Sequence, residues 1–158
     1  DGIKKSKYEN ILIMDGDLQH NPKYIYKMLK ILFTKKMDII VGARNFKEKN
    51  INKSLTFLRI GASKMLKLLI NIFLGYKTSD PLSGYFIFRK KIFFRNKKRF
   101  YGYGYKILAD FMYTDKSLKI SEIKINFRKR VYGQSKMDLK VLMLFIEFFI
   151  KKNVKKFF

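Results

Sequence analysis

Residues 10 to 42 spell a strand, a turn, a helix and a second strand with few residues to spare, and this run constrains the fold more than any other. Asn10-Ile11-Leu12-Ile13-Met14 is a short apolar segment closed by Asp15-Gly16-Asp17, the pattern of a buried strand that ends in a turn. Asn21-Pro22 predicts a helix start, with Asn21 as N-cap and Pro22 in the first turn. Ile25, Met28, Leu29 and Leu32 then recur along one helical face, and Met37-Asp38-Ile39-Ile40-Val41-Gly42 reads as a second buried strand. Strand, helix and strand with short connections make a βαβ unit. The expected class is therefore α/β, with a mostly parallel sheet flanked by helices.

The remainder extends that pattern. Leu55, Leu58, Ala62, Met65, Leu66, Leu69 and Phe73 keep helical spacing from Lys53 to Leu74, and Gly75 stops the helix. A turn-rich loop, Ser79-Asp80-Pro81-Leu82-Ser83-Gly84, precedes a third strand at Tyr85 to Phe88. A helix is expected over Tyr105 to Tyr113, and a less regular strand over Ile120 to Phe127. The basic loop 128–136 leads into an amphipathic helix from Asp138 onward. The expected organisation is one α/β unit over residues 1–137 and an amphipathic helix over 138–158.

Composition removes several kinds of chemistry. The chain has 158 residues and no cysteine, so disulfides, thiolate nucleophiles and zinc-thiolate sites are excluded. A single histidine, His20, rules out multi-histidine metal sites. The formal net charge is +24, which attracts phosphate-bearing partners. Yet the 29 Lys, 19 Ile and 16 Phe against 3 Ala are the skew of AT-rich codon usage, so charge alone decides nothing. The first residues hold no apolar leader-type stretch, and no segment reaches the roughly 20 apolar residues of a membrane-spanning helix.

Two groups of residues can carry chemistry. Asp15 and Asp17 sit at a strand end, where open α/β sheets place ligands, and their spacing lets both carboxylates face one hard cation. Gln19 can add a carbonyl oxygen, and Mg²⁺ or Mn²⁺ favours such a set completed by substrate phosphates. The same triplet also serves as a plain surface turn. An aspartyl-phosphate phosphatase would want a Thr where Gln19 stands. The second group is Arg44, Arg59 and Arg130, three of only seven arginines, whose planar forks suit phosphate oxygens.

Taken in order, these segments resemble the family-2 glycosyltransferases that act on polyprenyl phosphates, with dolichol-phosphate mannosyltransferases the nearest type. Met14-Asp-Gly-Asp-Leu-Gln-His-Asn-Pro22 is similar to that family's metal-site segment. Val41-Gly-Ala-Arg44, Arg59 with Ser63, Ser79-Asp-Pro-Leu-Ser-Gly84, Gly104-Tyr-Lys-Ile-Leu108 and Arg130-x-x-Gly133-x-Ser135-Lys136 follow in the family's order. The resemblance covers residues 10 to about 137.

It implies the C-terminal part of a GT-A-like fold and an inverting, metal-dependent transfer of a sugar. The donor would be a nucleotide-diphosphate sugar of the GDP-mannose or UDP-glucose type, and the acceptor a polyprenyl or dolichyl monophosphate. By the same resemblance Asp15, Asp17 and Gln19 would hold Mg²⁺ or Mn²⁺, and Arg44, Arg130 and Lys136 would take donor and acceptor phosphates. Arg59 and Ser63 would face the acceptor, and Asp15, Asp17 and Arg130 would be the catalytic residues. A lipid phosphate is already anionic near neutral pH, so no general base is needed. The family's nucleotide-gripping N-terminal half has no counterpart here, so the chain is expected to be a fragment, its activity by itself left open. Asp110 stands where the family usually carries Glu. A peripheral place on the cytoplasmic face of a membrane is expected, with the Lys-rich last helix on an anionic surface. Oligomeric state is not readable.

Two further readings compete. One is a basic nucleic-acid binder, favoured by +24 and 16% aromatics. The aromatics fall mainly at core-periodic positions and no RNA-binding motif occurs, so nucleic acid is not expected as a partner. The other is an inactive remnant that docks on membranes through its last helix.

Overall fold

The computed structural model describes residues 2–44, 72, 74–100, 107–126, 147, 150 and 151. A short helix α1 (Gly2–Lys5) precedes strand β1 (Asn10–Ile13), helix α2 (Tyr24–Thr34) and strand β2 (Ile39–Arg44). Strand β3 (Phe86–Arg89) runs directly into helix α3 (Lys90–Asn96) and a 3₁₀ turn (Lys97–Arg99). Helix α4 (Ile107–Thr114) and strand β4 (Ile120–Ile125) follow.

The four strands lie in the order β1-β3-β2-β4. β3 pairs antiparallel with both β1 and β2, while β2 pairs parallel with β4. Three strands therefore point the same way, as the βαβ pattern predicts, but the pairing is mixed. β1 and β2 are not hydrogen-bonded neighbours, because β3 is inserted between them. Ile13 and Val41 both sit opposite Phe86, and Arg44 opposite Ile125, so the C-terminal ends of β1, β2 and β4 share one end of the sheet.

Period-two alternation splits the core between the two sheet faces. Ile39, Val41, Phe86 and Phe88 pack on one side with Ile92 of α3 and Leu108, Phe111 and Met112 of α4. The Phe111 ring lies with its centroid 4.7 Å from those of Phe88 and Phe100. Ile40, Tyr85, Ile87, Ile123 and Ile125 pack on the other side, under Met28 and Leu32 of α2. β2 is buried at every position but the last, which accounts for its unbroken apolar run.

Two local expectations shift. α2 begins at Tyr24 with no side-chain cap, and Asn21 instead accepts the Lys23 N–H at 3.0 Å, forming a turn before the helix. α3 was not legible in the sequence, since cations crowd its few apolar positions. The expected helix from Lys53 falls almost wholly outside the described residues, as do the basic loop after β4 and most of the last helix. Among the described residues no helix is long and apolar enough to cross a membrane.

Candidate functional site

Two loops meet at the end of the sheet where β1, β2 and β4 finish. The first, residues 14–20, leaves β1 and carries the paired aspartates. The Asp15 N–H donates to His20 Nδ1 at 3.3 Å, and the Gln19 N–H donates to Asp17 Oδ1 at 3.2 Å. His20 is buried and stacks on Tyr85, with ring centroids 4.8 Å apart. Burial lowers the His20 pKa, although the nearby Asp15 and Asp17 carboxylates oppose that shift. The ring is therefore neutral at pH 7, which lets Nδ1 accept a hydrogen bond. Leu18, exposed in the same loop, sits at φ 61°, a left-handed conformation that an L side chain resists. The Asp15 side chain is exposed, whereas Gln19 is buried.

The second loop, residues 75–85, runs from beside the segment before β4, where Lys77 Nζ donates to the Leu118 carbonyl at 3.1 Å, to β3. Asp80, only 3% exposed, accepts a two-pronged contact from Arg44: Nε to Oδ2 at 2.7 Å and Nη2 to Oδ1 at 2.8 Å. The Arg44 N–H also donates to Asp80 Oδ2, at 3.2 Å. The Asp80 hydrogen bond raises the Arg44 pKa against its partial burial, and the Asp15 charge adds to the rise. Ser83 Oγ donates to the Gly42 carbonyl at 2.8 Å and accepts the Tyr85 N–H at 3.1 Å. The Tyr85 hydroxyl donates to the Asn21 carbonyl at 3.0 Å, linking the second loop to the first.

The loops also approach closely at Gly84. A Cβ built there would lie 2.6 Å from Asp15 Oδ1 and 2.7 Å from its Cγ, so only glycine leaves the carboxylate in place. Gly42 answers to a similar constraint, since a Cβ there would meet the Tyr85 ring at 2.8 Å.

Glu122, from β4, closes the far side of the second loop. Its carboxylate accepts from Thr78 Oγ1 and the Ser79 N–H at 2.7 Å each, from Ser79 Oγ at 3.0 Å and from Lys124 Nζ at 2.7 Å. Burial alone would push the Glu122 pKa up, but the hydrogen bonds from Lys124, Thr78 and Ser79 hold it down, at about 2. Asp15, Asp17, Asp80 and Glu122 are four of the chain's 12 acidic residues, and two of them are paired here with Arg44 and Lys124.

The structure thus brings Asp15, Asp17, Gln19 and Arg44 to one end of the sheet. The Arg44 fork, expected on phosphate, is engaged by Asp80. Arg59, Ser63, Arg130 and Lys136 lie outside the described residues. Asp110 is buried in α4 and accepts from Thr114 Oγ1 at 3.2 Å. Sequence reasoning assigned no part to Asp80, Gly84 or Glu122, whose contacts with Arg44, Asp15 and Ser79 span 36 or more residues. The one available signal was that Asp80 and Gly84 fall within a recognisable segment.

Among the described residues no three His, Cys, Asp or Glu side chains form a metal cage by themselves. Two carboxylates at a strand end do suit a hard divalent cation that completes its shell with ligand oxygens. The donor set is all oxygen, with the neutral His20 imidazole turned to the backbone instead.

The profile described as "Glycosyl transferase family 2" matches residues 1–95. Dolichol-phosphate mannosyltransferase from Pyrococcus furiosus is 29% identical over 147 residues, covering 92% of this chain and 41% of that protein. Dolichol-phosphate mannosyltransferase from Mycosarcoma maydis is 27% identical over 148 residues, covering 92% and 49%. The chain thus spans about half the length of the curated relatives it matches. In structure it is similar to glucosyl-3-phosphoglycerate synthase from Mycobacterium tuberculosis, crystallised with Mn²⁺ and uridine-diphosphate-glucose. The TM-score is 0.67 at 12% identity, over 96% of this chain and 51% of the other. That likeness shows a GT-A-like fold.

Proposed function

The chain belongs to glycosyl transferase family 2, and on that premise we propose that it carries the metal- and diphosphate-facing part of an inverting transferase. The donor is a nucleotide-diphosphate sugar of the GDP-mannose or UDP-glucose type, and the acceptor is a polyprenyl monophosphate at a membrane surface. The observation that carries this reading is the pair Asp15 and Asp17, held at the shared strand end with the Asp15 carboxylate lodged against Gly84. The dolichol-phosphate relatives favour the acceptor class. The neighbour crystallised with Mn²⁺ and a uridine-diphosphate sugar favours the cofactor and donor class.

Asp15 and Asp17, with a Gln19 oxygen, would hold Mg²⁺ or Mn²⁺. Bound there, the cation would neutralise charge on the departing diphosphate. The chain's own residues do the positioning. His20 and Tyr85 fix the backbone of the first loop, and Asp80 and Arg44 set the second loop beside it. Because Arg44 spends its fork on Asp80, it acts chiefly as a positioning residue. Arg130 and Lys136 are left as the phosphate ligands, with Arg59 and Ser63 toward the acceptor. Aligning two anions and stabilising a leaving group needs neither a nucleophilic thiol nor a general base, which agrees with a chain lacking cysteine.

The test is Mn²⁺ binding by the full chain with GDP or UDP present, compared with an Asp15→Asn/Asp17→Asn variant. Nucleotide-coupled binding that disappears in the variant is the expected result. A folded chain that binds no Mn²⁺ with either nucleotide would overturn the assignment of this site.

A further inference from the structure

The loop at residues 78–84 is anchored to β2 and β4 through two charged side chains. Arg44 holds Asp80 from β2. On the other side Glu122 of β4 gathers four donors, three of them from Thr78 and Ser79. Glu122 pairs in register with Val41, and Arg44 stands three residues further along β2, so the two anchors rise from neighbouring parallel strands. Between them the loop carries Asp80 and then Gly84, whose backbone lies against the Asp15 carboxylate.

We propose that Glu122 is a positioning residue: its carboxylate clamps Thr78 and Ser79 so that the loop presents Gly84 to Asp15 and Asp80 to Arg44. The inference rests on the reading of Asp15 and Asp17 as the metal site, and it adds a residue on another strand that sets their surroundings. Three features support it. Four donors converge on one carboxylate that stays about a quarter exposed, with 24% of its side-chain surface open. A carboxylate is the one side chain that can accept all four, since an amide loses an acceptor atom and the charge that attracts Lys124. The Ser79 hydroxyl also accepts from Lys124 Nζ at 2.5 Å, so loop, carboxylate and lysine form a closed triangle. Fastening the loop at Ser79 as well as Asp80 removes its freedom to swing Gly84 off Asp15.

The test uses the full chain and four forms: unmodified, Glu122→Gln, Ser79→Ala and the double variant. Amide hydrogen exchange over residues 78–84 is read alongside Mn²⁺ binding with GDP or UDP. Each single variant should speed exchange in that loop by roughly tenfold or more and leave β2 and β3 protected, as expected when a charge-assisted anchor is lost from a local opening unit. Mn²⁺ affinity should fall about tenfold in each, with little further loss in the double variant, since both changes remove one clamp. Glu122→Asp should recover part of both. Unchanged loop exchange in Glu122→Gln would overturn the proposal, and so would additive effects in the double variant. Exchange changes of the expected kind with no Mn²⁺ binding by the unmodified chain would overturn the metal-site reading and support the clamp.

Discussion

The two loops at the shared strand end are built on opposite principles. Residues 14–20 carry short-range ties, Asp15 to His20 and Asp17 to Gln19, over five and two residues. Residues 75–85 are tied to distant strands, through Arg44, Gly42 and Glu122, over 36, 41 and 43 residues. The first loop presents the carboxylates, with Asp15 exposed and Leu18 in a left-handed conformation. The second is a charged, hydrogen-bonded wedge that gives the first a surface to rest on. The division suits a cation site: ligands on a short loop whose backbone is held by His20 on Tyr85, and a neighbour anchored to distant strands that sets their direction.

The largest expected effect comes from cutting the second loop. Asp80→Ala removes two hydrogen bonds from the partly buried Arg44 guanidinium and one from the Arg44 N–H, and should cost about 2–4 kcal/mol by urea unfolding. The matching change in the first loop, Asp17→Ala, removes a local acceptor and should cost less than about 1 kcal/mol. Equal costs would remove the contrast between the loops.

Acid should also weaken the second loop. Glu122 has an ordinary pKa of 4.5 and is held at about 2 in the folded chain. Between those values the unfolded state binds the proton and the folded state does not, so stability rises with pH across that window. The contribution is present above pH 4.5 and is lost as pH falls toward 2. Subtracting the Glu122→Gln profile from that of the unmodified chain should isolate an acid-labile contribution of about 2 kcal/mol. A flat difference would remove Glu122 from the account of the second loop.

Much of this was readable from residues. α2 and β4 bury one face while β2, β3 and α4 are buried almost throughout, and these burials leave a period or an unbroken apolar run in the sequence. Asp15 and Asp17 were readable as well, because a turn after a short apolar run marks a strand end. The strand order was not, since inserting β3 between β1 and β2 changes which edges pair without changing the period of any strand. Asp80 and Glu122 were hidden for a related reason. Within a loop or at a strand position a carboxylate looks like any solvated charge until its partner is brought to it by the fold. Arg44 was placed correctly at the strand end, but its partner there is a carboxylate of the same chain.

Where the loops touch, Gly84→Ala tests the contact itself. The added methyl meets the end of an exposed side chain that can rotate away, so stability should change by less than about 1 kcal/mol. Displacing Asp15 should nonetheless weaken Mn²⁺ binding in the presence of nucleotide by about tenfold, since carboxylate ligands tolerate little misplacement. A variant that binds Mn²⁺ normally would show that Gly84 is small for reasons unrelated to the aspartates.

The smallest effect concerns strain in the first loop. Leu18 holds φ at 61° and Lys36, at the end of α2, holds it at 48°. Glycine accepts either value freely, at the expense of a more flexible unfolded chain, so each change to glycine should stabilise by about 0.5 kcal/mol. Their effects on Mn²⁺ binding should part company. Lys36 lies at the opposite end of the sheet, beyond the Leu32 and Phe33 carbonyls that close α2, and Lys36→Gly should leave binding unchanged. Leu18 follows Asp17 directly, so Leu18→Gly should weaken binding by about threefold as the turn loses its preset direction. Stabilisation with lost affinity at Leu18 alone would mean that the first loop retains its strain because relaxing it would turn the carboxylates. Equal binding in both variants would mean that the second loop alone directs Asp15.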